Sequence, residues 1–326
     1  MSDRQIDGID VPDVPAIERL ELALKPYIRS TPVFDAVLPS GLDTVFKMEM
    51  LQASGTFKAR GAFSNLLGLD AAQRAAGVTC ISAGNHAVAV AYAAMVLGVS
   101  AKVVMLAAAN PSRVALCRKF GAEILMEPDG AAGFARVHQI EAEEGRVFVH
   151  PFNGYRTILG TATLGAEWAR QAGPLDAVIL PIGGGGLAAG VATAFKLLQP
   201  EAEIIGVEPV GAASMARSFS EGGPIRMGPM QSIADSLMAP HTEAYSYGLC
   251  QRAINRLTTV DDTMIRGAMR FLFEDLKLAI EPACAVATAA VLGPLRESLV
   301  GKRVGVLLCG SNTDAATFSN HIGNLA

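Results

Sequence analysis

Charge is scarce in this chain. Asp, Glu, Lys and Arg make up 18% of its 326 residues, and no basic run stands out. A net charge of −4 and a pI near 5.8 exclude the electrostatic footprint of a nucleic-acid binder. A secretory signal is missing too, because MSDRQIDGIDVPDVPAIERL contains no apolar core segment. Metal-spaced cysteines are absent. The five present (Cys80, Cys117, Cys250, Cys284, Cys309) are odd in number and mostly lie in apolar runs, which predicts reduced thiols in a cytoplasmic protein. The chain also lacks an uninterrupted membrane span. Residues 177–195 are uncharged and nearly long enough, but they include Pro181 and four consecutive glycines. That stretch predicts a buried strand, a glycine loop and a buried helix in a soluble protein.

What is abundant is apolar residues, 51% of the chain, and glycine, 33 of 326 or about 10% against a usual ~7%. The chain can bury a large core and is long enough for two lobes. A helical pattern at 14–28 comes first, then an alternating strand at 45–50 and a helix at 62–69. Apolar strands are expected at 78–82, 101–106, 123–126, 147–149, 177–180, 203–207 and 304–308. Helices are expected between them at 87–97, 111–120, up to residue 144, 160–172 and 187–198. Alternation of this kind predicts an α/β protein: two parallel-sheet lobes with helical crossovers. The small lobe, 70–147, is expected as an insertion into a large one made by 1–69 and 148–326. A ligand would then sit in the cleft, at strand C-terminal ends.

Four stretches carry chemistry. In Ser54-Gly55-Thr56-Phe57-Lys58-Ala59-Arg60-Gly61-Ala62, Lys58 stands where a strand hands over to a helix. The positive helix end disfavours its protonated form and keeps the amine nucleophilic. Ser82-Ala83-Gly84-Asn85-His86 joins a strand to a helix, so its backbone amides suit a carboxylate, with the Asn85 side chain at the same mouth. On the residues alone, a Ser/Asn helix cap and a structural His86 explain it as well. Gly183, Gly184, Gly185 and Gly186, followed by Leu187, leave unobstructed N–H groups at a helix start, a nest for phosphate. No Lys-Ser/Thr follows, so this is not a P-loop, and no acidic ribose ligand follows the next strand. Cys309 closes the last buried strand, where it is either a neutral hydrogen-bonding group or a packed apolar cysteine.

These motifs, in this order, resemble the fold-type II pyridoxal-phosphate enzymes, and within them the serine/threonine dehydratases, over about residues 32–314. The resemblance implies that Lys58 forms the Schiff base with pyridoxal 5′-phosphate and, once freed, removes the Cα proton. It implies that Phe57 flanks the ring and Asn85 bonds the 3′-oxygen. Gly183 to Gly186, with Leu187, would cradle the phosphate, and Cys309 would face the pyridine nitrogen. Ser54, Thr56, Ser82, Ala83, Gly84 and His86 would hold the substrate. The implied activity is β-elimination of a β-hydroxy amino acid, first of all threonine or serine, to a 2-oxo acid and ammonia. Alternatives are 3-hydroxyaspartate or phenylserine as substrate, a serine racemase, or a binding module without catalysis. A homodimer or homotetramer is implied as well.

Three departures from the family pattern bear on function. Ala83 stands where racemising relatives carry a second serine, which removes a base on the face opposite the lysine. Glu208 stands at one acid of the family's cation site, but Ser214 stands at the second, so the resemblance implies no metal and leaves Glu208 as its single candidate ligand. The segment Gly160-Thr161-Ala162-Thr163 replaces the usual Gly-Gln-Gly-Thr, after Tyr155 and Arg156 in the preceding loop. Those changes fall near the side-chain pocket. The end at Ala326 carries the expectation that the regulatory extension of biosynthetic threonine dehydratases is missing, and that the role is catabolic.

Overall fold

Apolar runs separated by small-residue turns become, in the computed structural model, alternating strands and helices; residues 4–323 are described. A hairpin of β1 (Gln5–Ile6) and β2 (Ile9–Asp10) leads into α1 (Val14–Leu24) and then β3 (Val33–Val37) and β4 (Asp43–Lys47). Next come α2 (Lys58–Leu67), α3 (Ala71–Ala76), β5 (Val78–Ile81), α4 (Asn85–Leu97), β6 (Ala101–Leu106), α5 (Pro111–Lys119), β7 (Glu123–Glu127), α6 (Gly130–Glu144) and β8 (Val147–Phe148). After these follow α7 (Tyr155–Ala172), β9 (Ala177–Pro181), α8 (Gly186–Leu198), β10 (Glu203–Pro209), α9 (Ser214–Glu221) and α10 (Ala244–Ala253). The chain finishes with β11 (Arg256–Val260), α11 (Asp262–Glu274), α12 (Pro282–Leu292), β12 (Arg303–Leu307) and α13 (Ala315–Gly323).

The larger sheet has the order β11-β10-β9-β12-β4-β3 and is parallel except for edge strand β3. The second sheet, β7-β6-β5-β8, is parallel throughout, and all its strands lie between Val78 and Phe148. This is the α/β architecture with two parallel sheets that the alternation predicts. Central strands such as β9 are buried along their whole length because helices cover both faces, which is why they read as continuous apolar runs. Among the described residues no helix is long and apolar enough to cross a membrane.

Helix α2 lies between the two cores. Ala59, Ala62, Phe63 and Leu66 join the core of the second sheet, while its other side packs on α7. The crossing of α2 and α7 is close enough that a Cβ on Gly160 would lie 2.7 Å from the Arg60 carbonyl oxygen. Glycine at 160 is therefore required for the approach of the two helices.

The helical pattern expected at 14–28 ends as a helix at Leu24, and around the site the structure moves three further boundaries. The strand expected at 45–50 ends at Lys47, and the chain then makes short 3₁₀ turns over Glu49–Leu51 and Ala53–Gly55. The helix expected at 62–69 begins at Lys58. Tyr155 and Arg156 form the first turn of α7, not a loop before it. The first two shifts share a cause: Glu49 and Arg60 are both buried and bound to each other. Arg60 Nε donates to Glu49 Oε1 at 2.6 Å and Nη2 to Glu49 Oε2 at 3.1 Å; Nη2 also reaches Glu167 Oε2 at 3.1 Å. Lys47 Nζ completes the network with bonds to Glu167 at 2.5 Å, Gln171 at 2.7 Å and the Thr31 carbonyl at 2.6 Å. Pairing four charges and filling their remaining bonding positions offsets a large desolvation cost.

Removing one partner should be severe. Arg60→Ala is expected to lower stability by roughly 3–5 kcal/mol, because Glu49 is left charged and unpaired in the core. Arg60→Lys should recover only part of this, since an ammonium cannot supply the two-point contact. Denaturant unfolding of the three proteins checks both statements, and a lysine variant as stable as wild type would refute the second.

Candidate active site

The site is built on the first residue of α2. The segment before it is held against the exit from β12: the Phe57 amide donates to the Cys309 carbonyl at 3.1 Å, and Ser311 to that of Gly55 at 3.0 Å. Ser54 takes a left-handed conformation (φ 65°) to make this turn, a locally costly geometry for a residue with a Cβ. Lys58 keeps some solvent exposure as a residue, but its amine is enclosed, 5.1 Å from the centre of the Phe57 ring, and donates to the Pro151 carbonyl. Burial lowers its pKa to about 8, against a smaller opposing effect of Cys309. Phe57, Lys58, His86, Pro151, Gly186 and Leu187 all line one small cavity. Residues from three separate motifs thus converge there.

The glycine loop is held from behind. Thr161 Oγ1 donates to the Gly186 carbonyl at 2.8 Å, Ser246 Oγ to that of Gly184 at 3.2 Å, and the Cys250 thiol to that of Gly185 at 3.6 Å. In a trans peptide the N–H points opposite to the C=O, so the amides of Gly185, Gly186 and Leu187 project away from those three side chains. They donate to no acceptor among the described residues. At the N-terminus of α8 they form an anion cup made without a charged side chain. A Cβ on Gly186 would lie 2.3 Å from the Phe152 carbonyl oxygen, so no larger residue fits.

Asn85 opens α4 and is buried. Its Nδ2 donates to Glu281 Oε1 at 2.6 Å, and its Oδ1 accepts from Asn312 Nδ2 at 2.8 Å. These two partners fix which way the carboxamide points. Burial pushes the Glu281 carboxyl up to about 7, despite the pull of Arg113. Arg113, on α5, bonds Asp235 at 2.6 Å and the Asn312 carbonyl at 3.1 Å, and lies 3.6 Å from Glu281. It ties the second sheet to the first. Ser82 Oγ accepts from the Gly84 amide at 3.0 Å, so that amide is spent within the loop. His86 Nε2 lies 2.8 Å from the Val149 carbonyl, and burial and nearby Lys58 lower its pKa to about 3, so the ring is neutral and Nε2 carries the proton. Ala83 is half-buried in the same loop. The hydroxyls of Ser54 and Thr56 are buried without a partner. Both hydroxyls are therefore free to bond a ligand.

Cys309 is buried beside Cys284, whose thiol bonds it; that bond and burial raise its pKa well above the usual thiol range, keeping it neutral. All five cysteines are free and buried. Glu208 accepts from the amides of Met215 and Ala216 at 2.7 Å each, which makes it a cap for α9. Ser214 is buried beside it with an unpaired hydroxyl. Among the described residues no group of three or more His, Cys, Asp and Glu could hold a metal ion.

Sequence reasoning missed Arg113, Glu281, Cys284, Thr161 as a loop support, and Asn312. Glu281 left a trace, a lone acid before the apolar run of α12. Arg113 left none, because its burial is a tertiary fact.

The enclosed amine, the orphaned amides at a helix start and the unpartnered hydroxyls fit pyridoxal phosphate, which needs an amine anchor and a phosphate cup. Comparison with known proteins agrees. Over 98% of this chain and 99% of theirs, it is 66% identical to a phenylserine dehydratase of Ralstonia pickettii. It is 36% identical to a beta-hydroxyaspartate dehydratase of Paracoccus denitrificans, over 89% and 93% of the two chains. The structure of maize serine racemase superposes with a TM-score of 0.91 at 32% identity, covering 96% of this chain and 97% of that one. Residues 24–310 match the family described as "Pyridoxal-phosphate dependent enzyme", and with a site that meets the cofactor's demands the chain belongs to that family.

Proposed function

We propose that the protein catalyses β-elimination of a β-hydroxy amino acid bearing an aryl group on Cβ, a phenylserine-type substrate, to a 2-oxo acid and ammonia. The observation that carries the chemistry is the enclosed Lys58 amine, lowered to about pKa 8, at the mouth of an uncharged anion cup. The aryl preference over threonine and serine is supported by the phenylserine dehydratase, similar over nearly the whole of both chains.

Pyridoxal phosphate, when bound, supplies an electrophilic carbon for the substrate amine and a ring that accepts electrons from Cα. The amides of Gly185, Gly186 and Leu187, next to Gly183 and Gly184, would hold the phosphate, and Asn85, oriented by Glu281 and Asn312, would bond the 3′-oxygen. Cys309 would offer the ring nitrogen a neutral partner, and Phe57 would pack by the ring. Lys58 Nζ would anchor the cofactor and carry the Cα proton. A base near pKa 8 suits proton transfer near neutral pH, where an ordinary lysine would be almost wholly charged. Ser54 and Thr56 hydroxyls, with the amides of Asn85 and His86, orient the substrate carboxylate. Ala83 carries no proton-transfer group, which supports elimination over racemisation.

Three outcomes follow. Borohydride reduction of the cofactor-loaded protein should fix the label on Lys58; peptide mapping to another lysine would remove the mechanism. Cofactor uptake by cofactor-free protein should accelerate with pH through a midpoint near 8, where half of Lys58 is deprotonated, and level off above it; a midpoint near ~10.4, the ordinary lysine value, would mean that the amine is not desolvated. In a substrate panel, kcat/KM for phenylserine should exceed that for threonine and serine, with phenylpyruvate as product. A preference for threonine would overturn the aryl class and leave the elimination chemistry standing.

A further inference from the structure

Five rings contact one another in a closed circuit beside Lys58. His150 and Phe152 meet edge to face at 4.7 Å between centroids, Phe152 and His241 at 5.8 Å, and Phe134 and His241 at 6.3 Å. Phe134 and Phe148 at 6.4 Å, and Phe148 and His150 at 5.5 Å, close it. Pro151, whose carbonyl accepts from the Lys58 amine, lies between His150 and Phe152 in sequence. The circuit therefore starts one residue to either side of the group that touches the amine.

From this arrangement we infer that Phe134, Phe148, His150, Phe152 and His241 form the wall that receives the aryl group of the substrate and sets the preference for it; the inference rests on the aryl-substrate reading above. The rings come from both sides of the cleft: Phe134 from α6 and Phe148 from β8 of the second sheet, and His241 from a segment bridged to Arg226. Phe134 and Phe148 rest on Ile81, Val104, Val137 and Ile140. Phe134, Phe148, His150 and His241 keep partial exposure, unlike the buried Phe152. Both histidines turn ring faces or edges to their aromatic neighbours while their nitrogens are held from outside the circuit. His150 Nδ1 accepts from the amides of Phe152 and Asn153 (3.3 and 3.0 Å), which orients the ring. His241 Nε2 lies 2.9 Å from Glu243 Oε1, while its Nδ1 is buried without a partner. The circuit holds no Arg or Lys, and Glu243 Oε1 lies 2.9 Å from His241 Nε2 and 3.9 Å from His150 Nε2, a carboxylate that disfavours a second acidic group on the substrate. An aryl ring entering it gains edge-to-face contacts that a threonine methyl is too small to make.

The test uses the holoenzyme and two ring-removing variants from opposite sides, Phe134→Leu and His241→Leu, with Phe134→Tyr as a ring-keeping partner. The ratio of kcat/KM for phenylserine to that for threonine should fall on the order of tenfold in each leucine variant and stay near wild type in the tyrosine variant. Phenylalanine, which has no β-hydroxyl to lose, serves as a probe of binding alone. Its Kd relative to that of alanine, read from the cofactor absorbance, should weaken in the same variants. If wild type prefers phenylserine but the leucine variants lose both substrates equally, or keep the phenylalanine-to-alanine ratio, the wall is packing and the inference falls. If wild type itself does not prefer phenylserine, the aryl reading falls first and takes the inference with it.

Discussion

Burial of the Arg60 guanidinium is the constraint on which the rest of the site depends. It lies two residues beyond Lys58, within the first turn of α2, and is bound at both ends by Glu49 and Glu167. Glu49 follows β4 and Glu167 is on α7, so a single side chain joins the strand before the lysine, the helix that carries it and the helix behind it. A charge stripped of water tolerates little displacement, because each lost contact returns part of a desolvation cost of several kcal/mol. An apolar plug in the same place could slide and repack. The guanidinium cannot, and the position of Lys58 inherits that rigidity.

A second economy concerns charge. The cup at the start of α8 uses oriented backbone amides, and the Cys309 thiol is neutral. Among the described residues no carboxylate bonds the Lys58 amine, so burial dominates its proton affinity, against the smaller opposing effect of Cys309. The charges near the site (Glu281, Arg113 and Asp235) act one step removed, by orienting Asn85 and Asn312 and by joining the two sheets. The cavity itself is therefore lined by neutral groups and one enclosed amine, and the ion pairs that orient it stand one layer behind.

Much of this was legible in the sequence. The alternation of strand and helix is a periodic local signal, and a strand covered on both faces must read as an apolar run, so β5, β6, β9 and β12 and the helices after three of them could be placed to within a few residues. Lys58, Asn85 and the four glycines were legible because a backbone that must approach a ligand admits few residue types. The start of α2 was misjudged by four residues, since no local pattern marks Phe57 as the helix cap. Its place depends on the buried Arg60–Glu49 pair and on the Cys309 carbonyl, some 250 residues away. Glu281, Arg113 and Asn312 were illegible for the same reason: a polar residue reads as surface until the fold shows that it is buried and what it touches. Phe134, Phe148 and His241 are ordinary residues in the sequence, on segments that nothing local connects. The sequence by itself determined the class of fold, the lysine between β4 and α2 and the four-glycine turn before α8, because each is set by neighbours within one turn or one strand. Only the tertiary structure decided which charges are buried, which amides stay free and which rings meet across the cleft, because those are properties of contacts that the chain makes only after it has closed on itself.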